Sequence, residues 1–198
     1  MKTNPKNEQK CKLQNRAKLK VHFSFEFSLE SQADFQTDKQ KMPPKKQIKS
    51  WLRHAYQAPI KNPTLANAIE KDKIKSVSLF FCSPNKMSEI NQNFRQINKP
   101  TNVLSFPLFE NETSTKNFKH PDISILGDIV FCPEVIKKQS AQGDKNSHWA
   151  HLCVHSMLHL LGYDHQKNTQ AMQMESVEIE LLRKLGFANP YLKRSIKK

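Results

Sequence analysis

The sequence predicts an α+β domain, with one mixed sheet of about four strands packed by five or six helices. Apolar runs of strand character and longer segments at helical spacing follow one another in mixed order, not in a regular strand–helix repeat. Breakers separate them: Pro43-Pro44, Pro100, Pro133 and Gly162. The 198 residues suffice for a real core and do not force a second domain.

From Val21 to Leu29 the chain alternates, with Val21, Phe23, Phe25, Phe27 and Leu29 on one face, which predicts a half-buried strand. After Pro43-Pro44 a helix is expected over 45–57, with Ile48, Trp51 and Leu52 inward. A short amphipathic helix is expected over 63–71 and a buried strand from Val77 to Cys82. Ser83 is placed to cap the next helix, 84–97, with Met87, Ile90 and Phe94 at helical spacing. Val103 to Phe106 reads as a strand after the Pro100-Thr101 turn, Glu110–Pro121 as a polar loop, and Ile123 to Cys132 as a further strand. Pro133 suits the first turn of a helix. Helices are expected at 133–142, 148–161 and 169–185, and no internal repeat is visible.

The ends differ from the middle. Residues 1–20 carry Lys2, Lys6, Lys10, Lys12, Arg16, Lys18 and Lys20 against Glu8, with no apolar periodicity, so a disordered basic extension is expected there. Residues 21–192 form the expected domain, and 193–198, with Lys193, Arg194, Lys197 and Lys198, a basic tail. These ends lower the mean hydropathy to −0.70. The net charge of +14 suits a polyanionic partner, although lysine-rich tails also serve solubility alone. The cluster Lys39, Lys41, Lys45, Lys46, Lys49 and Arg53, on or beside a helix, is the better sign of nucleic-acid binding.

Cys11, Cys82, Cys132 and Cys153 are widely spaced and form no C-x-x-C pair, which predicts buried free thiols and a reducing compartment. No apolar run approaches 18 residues and no secretory apolar segment follows the basic start. The expectation is a cytoplasmic protein with no membrane partner.

The stretch that carries chemistry is HSMLHLLGYDH, His155 to His165. His155 and His159 lie one helical turn apart on one face. Gly162 ends the helix, because glycine accepts the left-handed conformation that closes one. The chain then turns through Tyr163 and Asp164 and returns His165 toward the same point. Three imidazoles with a fourth position left for water describe a catalytic zinc site, one ion per chain. His151 lies one turn before His155, but a rise of about 5.4 Å per turn puts it too far from His159 to share an ion. His155 and His159 are the pair beside the returning His165. His151 is then expected to support the ligands or line the groove, and His148 to belong to the helix start.

HSMLHLLGYDH resembles the signature of the YbeY-type endoribonucleases, bacterial rRNA maturation factors, whose usual form is HGxLHLLGYDH. NFRQINKPTNVLSFP, Asn93 to Pro107, is similar to that family's other signature, and LGDIVFC, Leu126 to Cys132, to its LGDI segment. The resemblance runs from about Val21 to Tyr191. Ser156 stands where the family usually has glycine, so local adjustment without loss of metal is expected.

The resemblance implies a zinc-dependent endoribonuclease of single-stranded RNA. It implies maturation of the small-subunit rRNA 3′ end, work on the small ribosomal subunit and a part in ribosome quality control. No DNA partner is expected. Arg95 matches the family's signature arginine and is the candidate to stabilise charge on phosphate; the plain alternative is a helix C-terminal arginine favoured by the macrodipole. Asp164 either orients a ligand imidazole or shapes the turn. Asp128 either reaches the site or caps a strand end. Ser105 and Thr101 are candidates for the groove wall. Of Glu175, Glu178 and Glu180 on the last helix, at least one is expected to be merely solvated. Two other functions are weighed. A zinc peptidase of the H-E-x-x-H kind needs a glutamate where Ser156 stands. A non-catalytic ribosome-assembly module stabilised by zinc is opposed by the apparent open position, since structural zinc usually has four protein ligands.

Overall fold

Alternation builds the first strand: β1 (Leu19–Phe25) buries Leu19 and Val21 and turns Lys20, His22 and Ser24 outward. The computed structural model describes residues 19–26, 42–61, 66, 74–108, 122–140 and 143–192. β1 starts two residues before the expected boundary, so Leu19 and Lys20 belong to the sheet and not to the basic extension. The cause is pairing: Leu19 and Lys20 lie beside Lys75 and Ser76 of β2 (Ile74–Phe81), which itself starts before Val77. Residues 1–18, Phe27, Leu29, the polar stretch 110–121 and the tail 193–198 lie outside the described residues. So does the helix expected over 63–71, apart from helical Ala66.

β2 runs parallel to β1 and to β4 (Ile123–Phe131), and β3 (Val103–Pro107) pairs antiparallel with β4. The order is β1-β2-β4-β3, the expected four-stranded mixed sheet. Five helices accompany it among the described residues: α1 (Lys45–Ala55), α2 (Pro84–Arg95), α3 (Pro133–Gln139), α4 (Lys145–Leu160) and α5 (Asn168–Lys184). None is long and apolar enough to cross a membrane. α4 starts three residues earlier than His148 because the Asp144 side chain accepts from the Asn146 amide at 2.9 Å and caps it.

One sheet face carries the main core. Val21, Val77, Leu79, Phe81, Ile129 and Phe131 pack there against Ile48, Trp51 and Leu52 of α1 and against α4. The other face carries a smaller cluster, Met87, Leu104, Val130 and Cys132, with Ile90 and Phe106 beside it. Phe94 lies on α2 at the expected helical spacing. It shares a stripe with Met87 and Ile90 but is 68% exposed, because the helix runs beyond the cluster that buries its earlier turns. Cys82, Cys132 and Cys153 are buried free thiols, as expected, and burial pushes the Cys82 thiol up to about 12. Cys11 lies outside the described residues.

α4 is the central helix, packed on α1, β3 and α5. From Trp149 to Leu160 every residue is buried except His151, His155 and His159. That i, i+4, i+8 line is the one open seam of this stretch. Ser156 lies in the buried part, and its Oγ has no hydrogen-bond partner among the described residues. An unpaired buried hydroxyl costs roughly 1–3 kcal/mol, and alanine is the better helix former. Ser156→Ala is therefore expected to raise unfolding stability by about 1 kcal/mol in urea titration. A lower midpoint would show that the hydroxyl has a partner.

The LGDI segment also has a structural reason. Between Ser76/Val77 of β2 and Ile125/Gly127 of β4 the register slips by one residue, leaving Leu126 as the extra, fully buried residue of a bulge. Gly127 has φ +141°, and a Cβ there would stand 2.2 Å from the Phe106 carbonyl oxygen. Only glycine lets β3 pair with β4 this closely.

Candidate metal centre

The end of α4 sets the candidate ligands. Gly162, at φ 87°, turns the chain out of the helix. Its amide donates to the His159 carbonyl at 2.9 Å, and the Tyr163 amide to the Leu158 carbonyl at 3.0 Å. This pair of bonds is a Schellman motif, and it does more than close the helix. The freed Tyr163 carbonyl accepts from the His159 ring at Nδ1, 3.0 Å away. A carbonyl can only accept, so the His159 proton sits on Nδ1 and the Nε2 lone pair is left for a ligand. Burial, then the charges of His155 and His165, push His159 down to about 4, so the ring is neutral at neutral pH.

His155 is held in the same sense by a different group. Its Nδ1 lies 2.8 Å from Glu178 Oε1, on the fully buried carboxylate of α5. With the proton on Nδ1, its Nε2 faces His159 Nε2 at 3.2 Å. Two lone pairs at that distance repel unless a proton or a metal cation lies between them. Ligand atoms bound tetrahedrally at 2.0–2.1 Å stand roughly 3.3–3.4 Å apart. His165 completes the set, its ring centroid 5.0 Å from that of His159 and 5.5 Å from that of His155. One nitrogen from each of the three lies within 4.8 Å of the others, so the trio can hold a metal ion.

A second set, His151, His155 and Glu178, also meets this distance. It is knitted by hydrogen bonds. His151 Nε2 is 3.2 Å from Glu178 Oε2, and the Tyr191 hydroxyl donates to the same oxygen. Burial pushes the Glu178 carboxyl up, but the hydrogen bonds and charges of His151 and His155 outweigh it and hold it at about 2. Such a carboxyl favours the folded chain at neutral pH, a contribution lost as pH falls from about 4.5 through about 2. This cluster reads as the support beneath the first, because His155 gives Nδ1 to Glu178 and Nε2 to the trio.

The groove over the trio encloses about 510 Å³ and is lined by Arg95, Thr101, Ser105, His148 and His151 along with the three histidines. The structure thus brings Arg95, Ser105 and Thr101 to the histidines. The turn after Arg95 is fixed by Gln96 at φ 60° and by Asn91, whose buried side chain donates to the Lys99 carbonyl at 2.7 Å. Asp164 accepts from the His165 amide at 2.7 Å, a contact that shapes the turn. Asp128 is exposed on β4, on the face it shares with Val130, away from the groove. Glu180 is exposed and pairs with Lys184 at 2.6 Å. The basic cluster lies elsewhere. Lys45 and Lys49 sit over Phe23 of β1, at the opposite sheet edge from β3, and Arg53 Nε donates to the Leu19 carbonyl. Lys39 and Lys41 lie outside the described residues.

Sequence reasoning missed what orients the rings. Glu178 was legible in one respect: it stands on the apolar stripe Met174, Leu181, Leu182 of α5, where a solvated glutamate has no place. Tyr191 and the Tyr163 carbonyl left no such signal. Glu178→Gln is expected to weaken metal binding about 10–100-fold with helix content kept, measured by competition with a chromophoric chelator. Unchanged affinity would show that Glu178 serves packing alone.

An α+β domain whose central helix turns its histidines toward one point, at the mouth of a groove, is the construction of a metal-binding enzyme domain. The family model described as Endoribonuclease YbeY matches residues 32–186, and the chain belongs to that family. A protein of Colwellia psychrerythraea named Endoribonuclease YbeY is 35% identical over 159 residues, covering 78% of this chain and 91% of its own. A protein of the same name from Francisella philomiragia is 42% identical over 120 residues, 60% of this chain and 74% of its own. A solution structure from Thermotoga maritima aligns with 84% of this chain and 92% of its own at 17% identity, with a TM-score of 0.40.

Proposed function

We propose that this chain is a zinc-dependent endoribonuclease that cuts single-stranded RNA in rRNA maturation. The observation that carries the chemistry is the pair of Nε2 atoms of His155 and His159, 3.2 Å apart with both Nδ1 atoms otherwise engaged. Three imidazoles suit zinc, which when bound would supply a nucleophile from water near neutral pH and neutralise phosphate oxygen.

The chain's own residues do the rest. Glu178 and the Tyr163 carbonyl fix two ligand rings. Arg95 reaches into the groove from the end of α2, where a guanidinium fork can hold two phosphate oxygens and stabilise the charge that develops as the bond breaks. Ser105 and Thr101 line the wall along which the strand passes. Substrate and setting follow the family: the 3′ end of small-subunit rRNA, the small ribosomal subunit, ribosome quality control and the cytoplasm. The net charge of +14 supports an RNA partner, although Lys45, Lys49 and Arg53 lie at the far sheet edge and argue for tails and groove as the contact.

The test is cleavage of labelled single-stranded RNA, duplex RNA and single-stranded DNA by the purified protein, with and without chelator. Cleavage of single-stranded RNA alone, lost with chelator and restored by zinc, is the expected result. Zinc bound at one per chain with no cleavage across a range of metals and pH would favour the non-catalytic assembly module.

A further inference from the structure

The chemistry above uses Arg95 but leaves its neighbour unexplained. Phe94, on the last turn of α2, is 68% exposed, and Ile97 just beyond is 51% exposed. Apolar side chains of this size are normally covered when the helix stripe that bears them is buried, as Met87 is here. The Phe94 ring packs edge-on against Phe106 of β3, centroids 4.8 Å apart at 61°, which leaves its outer surface to solvent.

The position of this pair matters. Along β3 the side chains alternate, so Ser105 lines the histidine groove while Phe106 faces the other side of the sheet. β3 is an edge strand. It is therefore the rim between groove and aromatic pair, and α2 ends on that rim with Phe94 and Arg95 side by side. A single strand whose phosphate meets Arg95 has its neighbouring base within reach of Phe94. Asp128 lies opposite Phe106 in the β-ladder and is exposed on the same face. A carboxylate there disfavours a phosphate and is indifferent to a neutral base.

We propose that the exposed Phe94 ring, braced by Phe106, is a stacking platform for a base of the single-stranded RNA beside the phosphate held at Arg95. The proposal rests on the endoribonuclease reading above. It makes Phe94 a positioning residue and gives the site a reason to prefer single strands, since a paired base cannot leave its stack to lie on the ring.

The test measures binding of a fluorescein-labelled, 2′-O-methylated RNA 12-mer to the zinc-loaded full chain. Phe94→Ala is expected to weaken binding about 10-fold or more, the range for losing one base–aromatic stack, and to act mainly on KM with cleavable RNA. Phe94→Trp is expected to restore binding, with its emission quenched by RNA. Phe94→Leu, which keeps apolar bulk and loses the ring, should not restore it. Binding by Phe94→Ala or Phe94→Leu equal to wild type overturns the platform while wild-type cleavage stands. A shift of oligomeric state in Phe94→Ala with RNA binding unchanged overturns it too, and assigns the patch to a second copy of the chain. Wild-type protein that neither binds nor cuts single-stranded RNA overturns both readings.

Discussion

Alanine in place of His159 is expected to leave a folded chain that holds no zinc at micromolar metal and cuts no RNA. His159 stands at the middle of the trio, its Nε2 3.2 Å from that of His155 and its ring centroid 5.0 Å from that of His165. Structural zinc sites bind with about 10–16 kcal/mol over four protein ligands, so one ligand is worth roughly 2.5–4 kcal/mol, about 70- to 900-fold in affinity. The fold should survive because alanine is the best helix former and the neighbouring positions Leu158 and Leu160 keep their burial. Metal analysis after gel filtration, with circular dichroism on the same sample, checks both halves. Full zinc occupancy in His159→Ala would remove the histidine from the ligand set.

The second large effect is expected at Arg95. Arg95→Ala should keep fold and zinc, because the side chain is exposed at the end of α2 and contributes nothing to either core cluster. Cleavage of single-stranded RNA should nevertheless fall by about 10²–10³, the range for losing one transition-state donor. Arg95→Lys should recover part of that, since a point charge cannot reproduce the planar fork. Its place in the groove wall, together with the three histidines, is what lifts it above a helix-end arginine favoured by the macrodipole alone. A wild-type rate in zinc-loaded Arg95→Ala would return it to that plainer reading.

Local patterns carried most of what the sequence revealed. Alternation gave β1, proline and serine gave the start of α2, and Gly162 gave the turn that returns His165, because these signals act within a few residues. Boundaries slipped where a partner elsewhere in the chain decides them: β1 and β2 both start before their own patterns because they pair with each other. The exposure of Phe94 was not legible for the same kind of reason. Helical spacing says which residues share a stripe, but not where the covering layer stops. The three ligand candidates stood in one motif of eleven residues. Their orientation depends on Glu178, 23 residues from His155, and on Tyr191, 40 residues from His151, and no local pattern announces those contacts. Asp164 and Asp128 show the converse. Motif membership made both candidates, while one serves the turn and the other faces away from the groove.

The most direct test is zinc content and single-stranded RNA cleavage measured on one preparation each of wild type, His155→Ala, His165→Ala and His151→Ala. Wild type is predicted to hold one zinc per chain and to cut. His155→Ala, which removes both the ligand nitrogen and the partner of Glu178, is predicted to lose metal and cleavage together, and His151→Ala to keep its metal. The account is contradicted if His155→Ala keeps full zinc and full cleavage, or if His151→Ala strips the metal while His165→Ala does not.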